Sequence, residues 1–390
     1  MMEQPDVELT PEVLQQHPLL AVALGAMVAV YFTILAGSLL SWGYLIYRAR
    51  RGQPWLTFPP RGPRVWGLAD LVVVATAFVV CQSAVASGYV RWAGIDVRNL
   101  PDGELPAVVG TVASLGNVLA VAASLLWLSL RYNVAPSHLG FHTRDGLQQL
   151  KIAGVTLLAA LPIVYVLMAV VSIGMDAEYA HPLLDEIRTQ ASLGSYLLGV
   201  VAAVLVAPLA EEFLFRVLIQ GWLQSWPLSS LREIVLGASP QQRAERLNGQ
   251  LVSASLVSEP TPPAPAQPQP PQIIDVAGGS PPSETPPQEV PAVVETSANQ
   301  VARGVMPKQK PPLWPAVVTG VLFGMAHWGY GLSFIPLIVL GIVLGLVYRA
   351  TNSIWPSFLI HLSLNAVSML GLGVGILLEQ VQVVAGWWWY

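Results

Sequence analysis

Charge is what this chain has least of. Asp, Glu, Lys and Arg make up 11% of its 390 residues, against roughly 25% in ordinary soluble domains, while 54% of the residues are hydrophobic. A soluble globule of this length is not built on so little charge; a chain whose solvent is mostly lipid can be. Cysteine is nearly absent too. Cys81 stands alone in an apolar stretch, which excludes a disulfide framework or a Cys-based metal site within one chain. Neither His-Glu-x-x-His nor Gly-x-Ser-x-Gly occurs, so the metalloprotease helix motif and the serine nucleophile elbow are both missing. No Lys or Arg precedes Arg48, whereas Glu3, Asp6, Glu8 and Glu12 do. A secretory signal starts basic, so the first apolar stretch is expected to be a retained span. The net charge of -4 and the lack of any basic run speak against nucleic acid.

What is present is a series of long apolar segments. A spanning helix needs about 20 predominantly apolar residues. By that measure spans are expected near 19–46, 66–90, 107–130, 151–175, 194–224, 313–333, 334–349 and 354–377, which predicts an all-α, polytopic bundle of about eight transmembrane helices. Loop charges test the count independently. Arg48, Arg50, Arg51, Arg61 and Arg64 follow the first span, Arg131, Arg144 and Lys151 surround the loop after the third, and Arg232, Arg243, Arg246, Arg303, Lys308 and Lys310 follow the fifth. Arg349 follows the seventh, and the alternate loops are mainly acidic. Basic residues accumulate on the cytoplasmic side, so the reading is a plasma (inner) membrane protein with both termini outside the cytoplasm. Trp387, Trp388, Trp389 and Tyr390, in a tail at 378–390, would then anchor at the outer interface.

The stretch 237–312 breaks the membrane pattern. Twelve of the 33 prolines fall between Pro260 and Pro291. Proline resists helix and sheet interiors, and few large apolar residues remain to drive collapse. A disordered cytoplasmic insert is expected there. It interrupts a C-terminal membrane domain at 194–377, which follows an N-terminal membrane region of about four spans at 1–190.

Polar residues inside the apolar runs carry the functional signal. Glu211, Glu212 and Arg216 sit in a run that is apolar from Tyr196 to Leu223. Each such charge costs about 2.5–3.5 kcal/mol at the centre of a spanning helix, so three unpaired would cost roughly 8–10 kcal/mol, comparable to the stability of a whole domain. Glu212 and Arg216 are four apart and can pair on one helix face, which leaves Glu211 without an obvious local partner. His327 closes the run Phe323-Gly-Met-Ala-His, and His361 and Asn365 share a face four residues apart. The remaining histidines, His17, His138, His142 and His181, fall outside the spans and read as surface residues. An acid, two imidazoles and an amide suit peptide-bond hydrolysis: a carboxylate and a neutral imidazole can hold a water and accept its proton, and a second imidazole with an amide N–H can bind the oxyanion.

These residues resemble the CAAX protease and bacteriocin-processing (CPBP) family of intramembrane proteases, also called the type II CAAX prenyl endopeptidase family. The matching motifs are Glu211-Glu212-x-x-x-Arg216, Phe323-x-x-x-His327 and His361-x-x-x-Asn365 on successive spans, with Tyr348 to His361 also similar. The resemblance implies a helical membrane endopeptidase acting on a membrane-associated protein or peptide, such as a CAAX-type tail or a leader peptide. It implies that Glu211 and His327 activate water, that His361 and Asn365 form the oxyanion site, and that Glu212, Arg216 and Phe323 support them. A metal-free mechanism is favoured, with no cofactor. Zinc held by Glu211, His327 and His361 is the open alternative. A different class of function, a non-catalytic scaffold, immunity factor or carrier built on the same buried polar cluster, also stays open.

Two depths fit poorly. At 1.5 Å per residue, His361 lies about 10 Å into a span starting at Ile354, but His327 about 20 Å into one starting at Leu313.

Overall fold

The computed structural model describes residues 11–100, 105–173, 193–257 and 309–380. Those residues are helical almost throughout: α1 (Pro11–Gln16), α2 (Pro18–Arg50), α3 (Leu68–Trp92), α4 (Ala107–Ser114), α5 (Gly116–Tyr132), α6 (Gly146–Ile173), α7 (Tyr196–Leu228), α8 (Leu231–Leu236), α9 (Pro240–Val257), α10 (Trp314–Met325), α11 (Phe334–Thr351) and α12 (Ile354–Gln380). Seven stretches are long and apolar enough to cross a membrane, α4 and α5 counting together, and α10 is a shorter eighth. The protein is an integral, multi-pass helical membrane bundle. Its outward side chains agree with a lipid solvent: along α2 only Leu20, Ser38 and Ser41 are buried, and Leu39, Leu40 and Phe32 lie bare, as hydrocarbon tolerates and water does not.

Among the described residues four buried clusters hold the bundle, the two largest of them around the helices of the candidate site. One gathers Phe78 of α3, Leu128 of α5, Phe213 and Val217 of α7 and Tyr348 of α11 around Trp66, whose indole N–H donates to the Leu218 carbonyl at 3.0 Å. The other gathers Phe323 of α10, Leu340 and Leu344 of α11, Ile360 of α12 and Val164 of α6. Between α10 and α11 the backbones themselves touch. A Cβ on Gly341 would stand 2.8 Å from the Gly320 Cα, and one on Gly320 would stand 2.6 Å from the Ile342 nitrogen. Lipid supplies no hydrophobic drive between helices, so this close approach of small residues provides the attraction.

The hairpin settles the uneven depths. Residues 313–333 are not one span: α10 stops at Met325, a length of about 18 Å, and a 3₁₀ turn at Trp328–Ser333 leads into α11. Gly331 at φ 67° takes the left-handed backbone that this reversal needs. His327 therefore sits on a turn at the end of a short helix rather than deep within a spanning one. At the other end, Trp314 packs against Trp226 with ring centroids 5.6 Å apart, and Trp226 against Trp222 at 5.1 Å. Such a row of indoles fits the membrane–water boundary.

Basic loops meet at that same end of the bundle. Residues 61 and 309 exchange two backbone hydrogen bonds, at 2.8 and 2.9 Å. Arg61 donates to the Asn352 side-chain oxygen at 2.9 Å and to the Arg349 carbonyl at 2.6 Å. Arg131 reaches the buried Asp70 carboxylate at 3.1 Å and the Leu236 carbonyl at 3.3 Å. Of the histidines expected at the surface, His17 and His138 are exposed, whereas His142 is half-buried and accepts from the Ser353 hydroxyl through its backbone carbonyl. His181 lies outside the described residues.

Residues 239–308 form a unit of their own. Its described part is α9, a helix where the sequence reading has the disordered insert beginning at 237. Ser239 and Gln242 form a reciprocal cap, Gln242 N–H to Ser239 Oγ at 3.2 Å and Ser239 N–H to Gln242 Oε1 at 2.9 Å, which satisfies two orphan donors at a helix start. Gln, Arg, Ala, Glu and Leu then carry it on intrinsic propensity. The proline-rich remainder at 258–308 and the aromatic tail at 381–390 lie outside the described residues.

Candidate active site

The acidic pair is carried by the least regular helix of the bundle. Pro208 has no N–H to give and its ring crowds the carbonyl four residues back. The chain answers with a π stretch at Val201–Val206 just upstream, where the Ala207 N–H reaches the Ala202 carbonyl five residues back. A second π stretch, Phe213–Gln220, follows Glu212 and ends with the Gly221 N–H on the Arg216 carbonyl. Wide turns of this kind occur mostly at functional sites, and here they flank Ala207–Glu212, the segment that holds both carboxylates.

From this segment Glu212 points into the protein. It is fully buried, as is Arg216, whose Nε donates to Glu212 Oε2 at 3.1 Å. The other Glu212 oxygen, Oε1, lies 3.2 Å from Nδ1 of His361 on α12. A carboxylate paired with a guanidinium only accepts hydrogen bonds, so Nδ1 carries the hydrogen in this contact. The other ring nitrogen, Nε2, faces Glu211, whose Oε2 stands 3.8 Å away. That is too long for a hydrogen bond, and Glu211 Oε2 is a buried atom with no hydrogen-bond partner among the described residues. Glu211 nonetheless keeps about a quarter of its side chain exposed. Thus one acid is locked, and its neighbour is open to a visitor.

Phe323 joins the remaining members. Its buried ring sits with its centroid 5.4 Å from that of His361, 5.3 Å from that of His327 and 5.1 Å from the Arg216 guanidinium carbon. Phe215 meets the same ring edge-on at 5.4 Å. Arg216 thus rests on an aromatic face, which stabilises a desolvated cation, although its two terminal nitrogens have no hydrogen-bond partner among the described residues. His327 orients itself locally, with Nδ1 2.9 Å from the Phe323 carbonyl. Asn365 gives one amide hydrogen to the Ala203 carbonyl at 2.8 Å, where the first π stretch bends α7, and so ties α12 to the helix of the acids.

The structure therefore brings Glu211, Glu212, Arg216, Phe323 and His361 into contact, attaches His327 through Phe323, and fastens Asn365 one turn from His361 to the α7 backbone. Sequence reasoning missed Ser357. It is buried one turn before His361, donates to the Ile354 carbonyl at 3.0 Å, and lies within hydrogen-bonding reach of Glu212. The signal was there: Ser357, His361 and Asn365 recur at four-residue intervals on one face of α12. A zinc site fits less well. Among the described residues no three His, Cys, Asp or Glu side chains are grouped so as to hold a metal ion.

Residues 300–367 match the family model described as Type II CAAX prenyl endopeptidase Rce1-like. The matched stretch contains Phe323, His327, His361 and Asn365 and begins after the acidic pair. No curated protein and no solved structure matches the chain.

Proposed function

We propose that this membrane chain is an intramembrane endopeptidase of the CPBP type that hydrolyses a peptide bond near the membrane surface. The Rce1-like match at 300–367 supports a peptidase, and one observation carries the chemistry: Glu211 Oε2 and His361 Nε2 face each other across 3.8 Å with neither bonded to the other. Both are acceptors, and a single water can direct its two O–H bonds at them. Glu211 takes one proton as general base, and the oxygen attacks the scissile carbonyl.

Glu212, held by Arg216, fixes the tautomer and the orientation of His361, as a buried carboxylate does for a catalytic imidazole. In this state Nε2 receives hydrogen bonds. His361 becomes a donor to the oxyanion, the role that the family resemblance implies for it, only with Nε2 protonated from solvent, and Glu211 returns the water's proton to the leaving amine as the C–N bond breaks. The second amide hydrogen of Asn365 is the matching donor. His327, its ring set by the Phe323 carbonyl and packed on the Phe323 face, completes the water-holding side. No step passes through a metal.

The substrate on this reading is a membrane-associated protein or peptide, such as a lipidated C-terminal tail or a leader peptide. On the same reading, the basic loops favour a cytoplasmic position for the end of the bundle carrying Arg61, Arg131 and Arg349, with both termini outside. The test is cleavage in proteoliposomes of a membrane-anchored reporter peptide, with and without a prenyl group, followed by mass spectrometry of the new termini. A discrete cut that is lost in Glu211→Gln supports the reading. Binding of the peptide with no cut, unchanged by that substitution, would assign the cluster to a scaffold or carrier.

A further inference from the structure

Away from the acids, at the C-terminal end of α7, a small, partly open cleft with only about 20 Å³ of enclosed space lies between three chain segments, so a visiting group would sit at its mouth. The first loop lines it with Arg61 and Arg64, α7 with Gly221, Gln224 and Ser225, and the strand-like return at 309–312 with Lys310. No Asp or Glu is among the lining residues. Gln224 Nε2, an amide donor, is buried there without a hydrogen-bond partner among the described residues. The guanidinium of Arg61 is fixed in place by the Tyr348 and Arg349 carbonyls and the Asn352 side chain, all of them neutral acceptors. Burial, and then the charges of Arg64 and Arg349 beside it, push Arg61 down to about 9. It is still cationic at neutral pH, and positive charge is crowded where it stands. Gly221 lets the segments close: a Cβ there would stand 2.9 Å from Trp66 and 3.3 Å from Arg64 Nε.

From this convergence of two held arginines, the exposed Lys310 and an unspent amide donor on one cleft, we propose that the pocket between Arg61, Gln224 and Lys310 binds a phosphate group. Phosphate supplies the negative charge and the acceptor oxygens that this lining calls for. The cavity lies at the end of the bundle where Trp222, Trp226 and Trp314 stack, so the phosphate of an anionic lipid headgroup and free inorganic phosphate can both reach it. The assignment stands apart from the peptidase reading, because none of its residues touches the Glu211–His361 pair.

The experiment uses the purified full chain in a neutral detergent. Its thermal unfolding midpoint is followed during separate titrations with phosphatidylglycerol, phosphatidylcholine and inorganic phosphate, at two salt concentrations. Stabilisation by phosphatidylglycerol but not phosphatidylcholine, weakened about five-fold in Lys310→Gln and further in Gln224→Leu, identifies a headgroup site. Equal stabilisation by inorganic phosphate, weakened by the same substitutions, identifies the free ion as the source. Arg144→Gln, an exposed loop arginine outside the cavity lining, should bind as the wild type does. The proposal is overturned if neither phosphate source stabilises the protein, or if Lys310→Gln binds as tightly as the wild type.

Discussion

Replacing Arg216 by methionine keeps the length of the side chain and removes the guanidinium paired with Glu212. The guanidinium and the carboxylate are both fully buried and 3.1 Å apart, so the substitution leaves a charge in a medium that cannot solvate it. Breaking such a pair from one side costs about 3–5 kcal/mol, or about two to three and a half orders of magnitude in the folded-to-unfolded ratio. Glu212→Gln strands Arg216 in the same way, and its two terminal nitrogens already lack hydrogen-bond partners among the described residues. The double variant removes both charges at once. It should recover most of the loss, because an uncharged amide beside a thioether carries a smaller desolvation cost than a lone buried charge. The assay is equilibrium unfolding in mixed SDS micelles for wild type, both single variants and the double. A coupling of about 2 kcal/mol or more is expected. Strict additivity, within about 0.5 kcal/mol, would mean that the pair does not exist in the membrane and would remove the anchor of His361. Activity should behave differently from stability: the double variant folds but has lost the carboxylate that orients the imidazole, so cleavage should stay low.

Three further outcomes are expected. Gly341→Ala puts a Cβ 2.8 Å from the Gly320 Cα, where only backbone could yield, so it should lower stability by about 1–3 kcal/mol in the same unfolding assay and loosen His327 with it. His142 is held below its ordinary value of 6.5, first by burial; the unfolded chain then binds more protons than the folded one, so stability should fall as pH drops below about 6.5, and His142→Gln should flatten that part of an acid-unfolding curve. Ser357→Ala should leave folding nearly intact, since the serine adds one hydrogen bond worth about 1 kcal/mol, while lowering kcat more than it raises KM if the serine helps hold Glu212 for His361.

How much of this could be read beforehand varied by element. Spans were legible because lipid imposes a length and a polarity that few other constraints mimic. The pairing of Glu212 with Arg216 followed from a four-residue interval, and it survives even though the helix around it is partly of π type. The wide turns themselves were invisible. Pro208 announced a disturbance, but whether a helix kinks, breaks or widens depends on the neighbours that receive its freed carbonyls. The early end of α10 was equally hidden: hydropathy continues through Trp328, whereas the chain turns because Gly331 takes a positive φ and because Gly320 and Gly341 draw the two helices together.

At the site, sequence named candidate residues on three separate helical segments but not their pairing. His361 and Asn365 share a face, yet one binds Glu212 and the other the Ala203 carbonyl. Phe323 was named as a supporting residue through its motif with His327, and its ring touches His361, His327 and Arg216 together. Such roles arise from the crossing of helices far apart in the chain, which no local interval encodes. The Ser239/Gln242 cap, by contrast, was written in the sequence as Ser-x-x-Gln and was masked by the proline-rich composition downstream.

The central claim is that Glu211, and not its buried neighbour, takes the proton of the attacking water. Single-turnover cleavage of one reporter peptide by reconstituted wild type and Glu211→Gln, with folding of both verified by unfolding midpoint, tests it directly. A loss of about 10²- to 10⁴-fold in the chemical step at unchanged stability is the expected result. Cleavage by Glu211→Gln at a rate near that of the wild type would contradict it.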